Sequence, residues 1–261
     1  MDLRIAGKVG LVLGAGGGLG GAIAQALGAE GVKVAVGGRN AESVDKTTSA
    51  INASGGVGKS FVWDLANLSE IDRHIDAIEA ELGPVDILVN NTGGPPPTPV
   101  QGQPVQSWET YFQSMVLPVI ALTDRVLPGM KDRQWGRIIT STSSGVIAPI
   151  PNLGLSNSLR STLVGWSKTL AREVGPHGIT ANVILPGRIA TGRITYLDEQ
   201  KATRENKPLG QIVAESTSAI PLRRYGNPDE YGQVAAFLAG AGASYITGSV
   251  IRVDGGLIPN V

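Results

Sequence analysis

The residues that most plainly offer chemistry lie near the N-terminus, in Leu13-Gly14-Ala15-Gly16-Gly17-Gly18-Leu19-Gly20-Gly21. This segment follows a short apolar run at 9–13 and opens a stretch, 19–30, of small apolar residues at helical spacing. A glycine turn between a strand and a helix leaves backbone N–H groups free at the helix N-terminus, where they can hold phosphate oxygens. Two spacings overlap. Gly16, Gly18 and Gly21 fit G-x-G-x-x-G, whereas Gly14, Gly18 and Gly20 fit G-x-x-x-G-x-G. Glycine clusters also serve turns for steric reasons alone. The position directly after the first strand is what makes this one a dinucleotide site. The expected contacts are Gly14, Gly16, Gly17, Gly18, Leu19 and Gly20. The next strand-like run ends Val36-Gly37-Gly38-Arg39-Asn40. A carboxylate at this point would accept hydrogen bonds from ribose hydroxyls and repel a 2′-phosphate. No acid is present, and Arg39 can pair with the phosphate. NADP(H) is therefore the preferred cofactor, with NAD(H) the second choice.

Composition removes other chemistries. The 261 residues contain no cysteine, which excludes disulfides, thiolate metal sites and Cys nucleophiles. The two histidines, His74 and His177, are too far apart to suggest a metal site, so none is expected. Lys+Arg and Asp+Glu both number 22, and nothing draws such a chain to nucleic acid or to an anionic membrane. No apolar run has bilayer-spanning length, and residues 1–8 carry no signal-like apolar core. A cytoplasmic protein acting on a small molecule is expected.

The elements that must position the glycine turn alternate along the chain. Strand-like runs at 9–13, 32–36, 60–63, 85–89, 137–141, 179–185 and 249–253 are separated by helix-like segments. The helices are expected at 19–30, 41–53, 68–82, 107–130, 155–174 and 229–239. This rhythm predicts an α/β fold: a single-domain, doubly wound, Rossmann-type parallel sheet over 1–261, with helices on both faces. Residues 93–104 are rich in Pro and Gly and predict an irregular loop. Residues 188–218 are polar and weakly periodic, and predict a small lid lobe.

Taken in order, these motifs resemble the short-chain dehydrogenase/reductase family. Gly14-x-x-x-Gly18-x-Gly20 is similar to its cofactor turn, with Leu13 where Thr is usual. Asn90-Asn91-Thr92-Gly93 resembles its Asn-Asn-Ala-Gly signature. Pro186-Gly187 with Thr191 resembles the segment that covers the nicotinamide. The run from Tyr225 through Val253-Asp254-Gly255-Gly256 resembles the 3-oxoacyl-acyl-carrier-protein reductase branch. The resemblance implies further cofactor contacts from Asp64 and Leu65 at the adenine, and from Asn91, Gly93, Arg160, Pro186, Gly187, Ile189 and Thr191. It also implies a homo-oligomer, expected to be a tetramer, paired through the helices at 107–130 and 155–174. An apolar stripe of Leu159, Leu163, Trp166 and Leu170 could serve either core or interface.

The same resemblance exposes a departure. The family uses a Tyr-x-x-x-Lys pair, a Ser on the preceding strand and an Asn on the helix before. Ser143 stands at the Ser position, but Ser156 stands for Tyr, Arg160 for Lys and Met115 for Asn. Three of the four usual catalytic residues are thus expected to be replaced. Ser156 and Arg160 would share a helix face, four residues apart. Serine is a far weaker acid than tyrosine, whose pKa is about 10. Met115 offers nothing to a proton relay and reads more simply as helix packing. None of Tyr111, Tyr196, Tyr225, Tyr231 and Tyr245 is followed four residues later by Lys. Tyr196, in the lid, is the one that could fold over a cofactor. Lys168 is about 12 Å along the helix from Arg160, too far to replace the lost lysine. Arg188 could meet an anionic substrate or simply face solvent, and His177 reads as structural.

Three functions compete. The first is an NADP(H)-dependent oxidoreductase acting on a small carbonyl, imine or activated alkene with a non-standard proton donor. The second is a non-redox lyase, after the haloalcohol dehalogenases, which resemble this family and carry Arg in place of Lys. Those enzymes keep the Tyr and lose the glycine turn, the opposite of this chain. The third is a protein that holds NADP(H) without turnover.

Overall fold

The computed structural model describes residues 2–260. The first half alternates β1 (Val9–Val12), α1 (Gly18–Ala29), β2 (Lys33–Gly38), α2 (Ala41–Ala53), β3 (Val57–Val62), α3 (Ile71–Leu82) and β4 (Ile87–Asn90). Two helices, α4 (Val105–Met115) and α5 (Leu117–Asp132), lead to β5 (Gly136–Ser141). Then come α6 (Gly154–Val174), β6 (Ile179–Pro186), α7 (Gly192–Glu205), α8 (Leu209–Ser218), α9 (Pro228–Ala239) and β7 (Val250–Val253).

The strands form one sheet in the order β3-β2-β1-β4-β5-β6-β7, and every pairing is parallel. The order reverses between β1 and β4. Loops at the carboxyl ends of these two strands diverge to opposite faces and leave the crevice in which doubly wound sheets bind ligands. The predicted α/β class is therefore the observed one. Because both faces are covered, the central strands are buried along their whole length; β1, β4 and β5 expose no residue. On one face Ile23 and Leu27 of α1 and Tyr231 and Ala235 of α9 pack on the sheet. On the other, Ile75 and Ile78 of α3 meet Leu122 and Val126 of α5. Each such buried Ile, Leu or Val side chain contributes about 1.5–3 kcal/mol of transfer free energy.

Three expectations need correction. The helix expected at 107–130 is two helices, broken at Val116. Pro118 is the cause: it has no N–H to give the preceding turn, and its ring conflicts with the carbonyl four residues back. Residues 188–218, where no helix is expected, contain α7 and α8. The third strand starts at Val57 rather than 60, because its backbone pairs with β2 from Lys33 onward despite weak alternation. The apolar stripe of α6 is spent inside the chain. Leu159 and Leu163 pack with Met115, Val116 and Val119, and Leu170 joins the α3–α5 core. Among the described residues no helix is long and apolar enough to cross a membrane, and no group of three or more His, Cys, Asp or Glu could hold a metal.

Candidate active site

A cavity of about 940 Å³ opens at the carboxyl ends of the strands. One end is the glycine turn. Gly14 has φ +58, and a Cβ there would sit 2.7 Å from the Asn91 carbonyl oxygen. A Cβ on Gly20 would sit 2.3 Å from the Gly14 carbonyl oxygen. Only glycine lets the turn close against α1 so tightly. Asn91, at the end of β4, donates from Nδ2 to the carbonyls of Leu13 and Gly14, each at 3.3 Å, and so fastens the turn across the topological switch point. Beyond the turn, Gly17 has open space where a side chain would be, and α1 begins at Gly18 with no side-chain cap. Its first N–H groups thus face the cavity uncapped, as a phosphate requires. Gly16, Gly17, Gly18 and Leu19 all line the cavity there, and Thr191 packs beside Gly18.

Arg39 stands exposed on the cavity rim beside Gly38 and Asn40. Asn40 caps α2, accepting from the Ser43 N–H at 2.8 Å. Among the described residues, no Asp or Glu lines any part of the cavity.

The other end is built on α6 and β5. Ser156 and Arg160 share one face of α6, are 6% and 8% exposed, and both line the cavity. Arg160 is held by carbonyls from two strand ends. It donates to Thr92 at 3.0 Å and Gly93 at 2.9 Å after β4, and to Ser141 at 3.4 Å on β5. No carboxylate pairs with it. Burial pushes its pKa down to about 10, with Tyr231 working against the shift and Arg193 adding to it. Ser143 follows β5, and its Oγ accepts from the Gly145 N–H at 3.1 Å, capping the short helical turn Ser144–Val146. Pro186, Gly187 and Ile189 close this end, with the Gly187 N–H bonded to the Val253 carbonyl at 2.9 Å.

The family model described as enoyl-(acyl carrier protein) reductase matches residues 14–258, spanning the glycine turn, the β5–α6 site and the strand that closes the sheet. The chain belongs to the short-chain dehydrogenase/reductase family. The 3-oxoacyl-[acyl-carrier-protein] reductase of Salmonella typhimurium is 36% identical over 253 residues, covering 96% of this chain and 97% of its own length. The L-sorbose reductase of Gluconobacter frateurii, solved with NADPH and L-sorbose, superposes with a TM-score of 0.93 at 27% identity, covering all of both chains. YwfH, an NADPH-dependent reductase involved in bacilysin biosynthesis, superposes with a TM-score of 0.92 at 27% identity, over 97% of this chain and 99% of its own.

Within this member of the short-chain dehydrogenase/reductase family, four expected site residues lie elsewhere. Met115 is 2% exposed, packs among Val116, Val119 and Leu163, and does not reach the cavity. Only its backbone takes part, accepting weakly from the Thr92 hydroxyl at 3.5 Å where α4 ends. Asp64 and Leu65 do not line the cavity either. Asp64 turns back to accept from the Ala66 N–H at 3.1 Å, and Leu65 packs toward the α3 side of the core. Tyr196 lies outside the cavity lining, its ring 5.5 Å from the Arg193 guanidinium.

No other tyrosine lines the cavity. Tyr231 is fully buried behind it, sharing a hydrogen bond with Ser141 Oγ at 2.9 Å and donating to the Ile184 carbonyl at 3.2 Å. Burial raises its pKa further above the ordinary tyrosine value. Arg188 does line the cavity, but its charge is taken up by Asp198 at 2.6 Å. Asp198 is 2% exposed and also accepts from the Tyr225 hydroxyl at 2.7 Å, so this trio anchors α7 to the segment before α9. His177 meets Gln134 Nε2 at 3.2 Å and does not line the cavity, and Lys168 donates to the Gly248 carbonyl. Sequence reasoning missed Arg193. It lines the cavity from the first turn of α7 and reaches the Pro95 carbonyl at 2.7 Å, 98 residues away. Its one local signal is Thr191, which starts α7 directly after the Pro186-Gly187 segment.

Proposed function

We propose that this protein is an NADP(H)-dependent oxidoreductase that moves a hydride to or from a small carbonyl, imine or activated alkene, without tyrosine as the proton donor. One observation carries the reading: a single cavity joins the uncapped glycine turn and Arg39 to Ser143, Ser156 and Arg160. The N–H groups at the start of α1 would hold the pyrophosphate, and Arg39 the 2′-phosphate. Pro186, Gly187, Ile189 and Thr191 would flank the nicotinamide, with Asn91 and Gly93 opposite. Bound there, the dinucleotide supplies the hydride. The NADPH complex of the sorbose reductase and the NADPH dependence of YwfH support the choice of cofactor.

The chain's own contribution is positioning and charge. Ser143 and Ser156 can donate hydrogen bonds to a substrate oxygen. Arg160 has five N–H groups, of which three meet carbonyls and two remain for a ribose hydroxyl or substrate. Its positive charge stabilises an oxyanion as hydride arrives. Water, ordered by the two serines, delivers the proton, because the cavity lining holds no His, Lys, Tyr, Asp or Glu. Substrates that need no strong acid suit such a site best. Assembly as a homotetramer belongs to the same reading, and light scattering reads it directly.

The experiment is a cofactor-oxidation screen of ketones, imines and activated alkenes with NADPH and NADH. The reading expects turnover of at least one class with NADPH favoured. Tight NADPH binding with no oxidation across the panel, or release of a leaving group without cofactor, would overturn it.

A further inference from the structure

The charges in the cavity do not balance. Four arginines line it, Arg39, Arg160, Arg188 and Arg193, and among the described residues no acid does. Asp198 neutralises Arg188 from behind. Arg39 lies on the rim, at the far end from α6. Two positive charges, Arg160 and Arg193, therefore remain at the substrate end with no carboxylate to pair with.

A Cβ built on Gly94 would lie 3.5 Å from Arg193 Nη2 and 3.6 Å from Arg160 Nη2, so the two groups flank this one glycine. Arg160 Nη2 already serves the Thr92 and Gly93 carbonyls, and its free N–H groups are on Nε and Nη1. Burial lowers the pKa of both, and Arg193 adds to the lowering at Arg160. Bringing two like charges together in a partly dehydrated site is costly unless an anion completes it. Arg193 spends one N–H on the Pro95 carbonyl and keeps a free fork for an oxyanion. Its bond to the loop after β4 holds it beside Gly94.

The cavity also offers apolar surface. Pro149, Ile150, Leu153, Ile194, Leu197 and Ile258 all line the cavity. We propose that the substrate carries a carboxylate, held between Arg193 and Arg160, on an apolar body that rests against these apolar residues. The native substrate would then be a free oxo acid or unsaturated acid, not a neutral sugar or a thioester whose charges lie far from the reacting carbon. This deepens the reading above and rests on it for the hydride donor, but the anion site itself is defined by the arginines alone.

The test is calorimetric titration of straight-chain carboxylates, butanoate to octanoate, and their primary amides, into the protein with and without NADP+. The acids are expected to bind at least tenfold more tightly than the matched amides, with affinity rising with chain length and falling with salt. Arg193→Met should abolish the acid–amide difference, and Arg193→Lys should restore part of it. Thermal melting checks that both Arg193 variants fold. Arg160→Gln, checked by thermal melting, should weaken the acids as well. Equal binding of acid and amide, no binding of either at millimolar concentration, or an Arg193→Met variant that loses NADPH affinity in place of carboxylate affinity would each overturn the proposal. Failure of NADP+ to bind while the acids still bind would sink the cofactor reading and leave the anion site standing.

Discussion

At the glycine turn, ligand contacts are offered by backbone: the first N–H groups of α1, opened by Gly17 and Gly18 and braced by Asn91 against the Leu13 and Gly14 carbonyls. At the α6 end they are offered by side chains: two serines and two arginines drawn from β5, α6 and α7. The backbone end depends on close approach and tolerates almost no change of shape. The side-chain end depends on charge and hydrogen bonding, and can be rewritten one residue at a time while the sheet stays as it is. That difference explains how one cavity can keep a complete dinucleotide cradle beside Ser156 and Arg160.

Breaking the backbone end should cost most in cofactor affinity. Gly20→Ala places a methyl group 2.3 Å from the Gly14 carbonyl oxygen, a backbone atom that cannot swing aside. Overpacking of this kind costs about 1–3 kcal/mol in stability. NADPH affinity, read by fluorescence titration, should fall by more than about a hundredfold as the turn is displaced. Unchanged affinity would mean that the turn is not the cradle.

At the side-chain end, Asp198→Asn removes the buried partner of Arg188 and Tyr225. Loss of one member of a buried pair costs about 3–5 kcal/mol, and the low end applies because Arg188 is 25% exposed. The KM for substrate should rise while NADPH affinity holds, since α7 carries Arg193 but not the glycine turn. Both constants moving together would erase the distinction between the two ends.

A smaller effect is expected from Ser156→Tyr combined with Arg160→Lys. Lysine cannot serve the Thr92, Gly93 and Ser141 carbonyls with the geometry of a guanidinium. Introducing a tyrosine ring at a position 6% exposed adds overpacking of about 1–3 kcal/mol. The thermal midpoint should fall, and reduction of a 3-oxoacyl thioester should gain less than the roughly 10²–10⁴-fold of a well-matched acid. A full gain would mark the pair as a degraded reductase site. Arg39→Asp should be the mildest, shifting the ratio of NADPH to NADH affinity by about tenfold toward NADH without altering stability.

The same contrast governs what could be read from sequence. Strand and helix alternation, the glycine turn and Asn91 are local patterns, and the sheet order follows from them. The break at Val116 was hidden because apolar periodicity runs on through Pro118. Helices α7 and α8 were missed because they are mostly exposed; α7 buries only Asp198. Met115, Asp64 and Leu65 were placed in the site by resemblance, but packing and a local turn hold them elsewhere. Arg193 of α7 and Arg160 of α6 flank Gly94, a proximity that no local pattern encodes.

The pH dependence of kcat/KM tests the central claim most directly, using the best substrate from the screen. Among the described residues the cavity lining holds no group that titrates near neutrality. The profile should therefore be flat from about pH 5 to 9. It should then fall as pH rises through about 10, where Arg160 loses the proton that gives it its charge. Arg160→Gln should lower the plateau and remove the alkaline limb. A break between about pH 6 and 8 that survives in Ser156→Ala and Arg160→Gln would contradict the account, because it would require an ionising acid or base that this cavity does not contain.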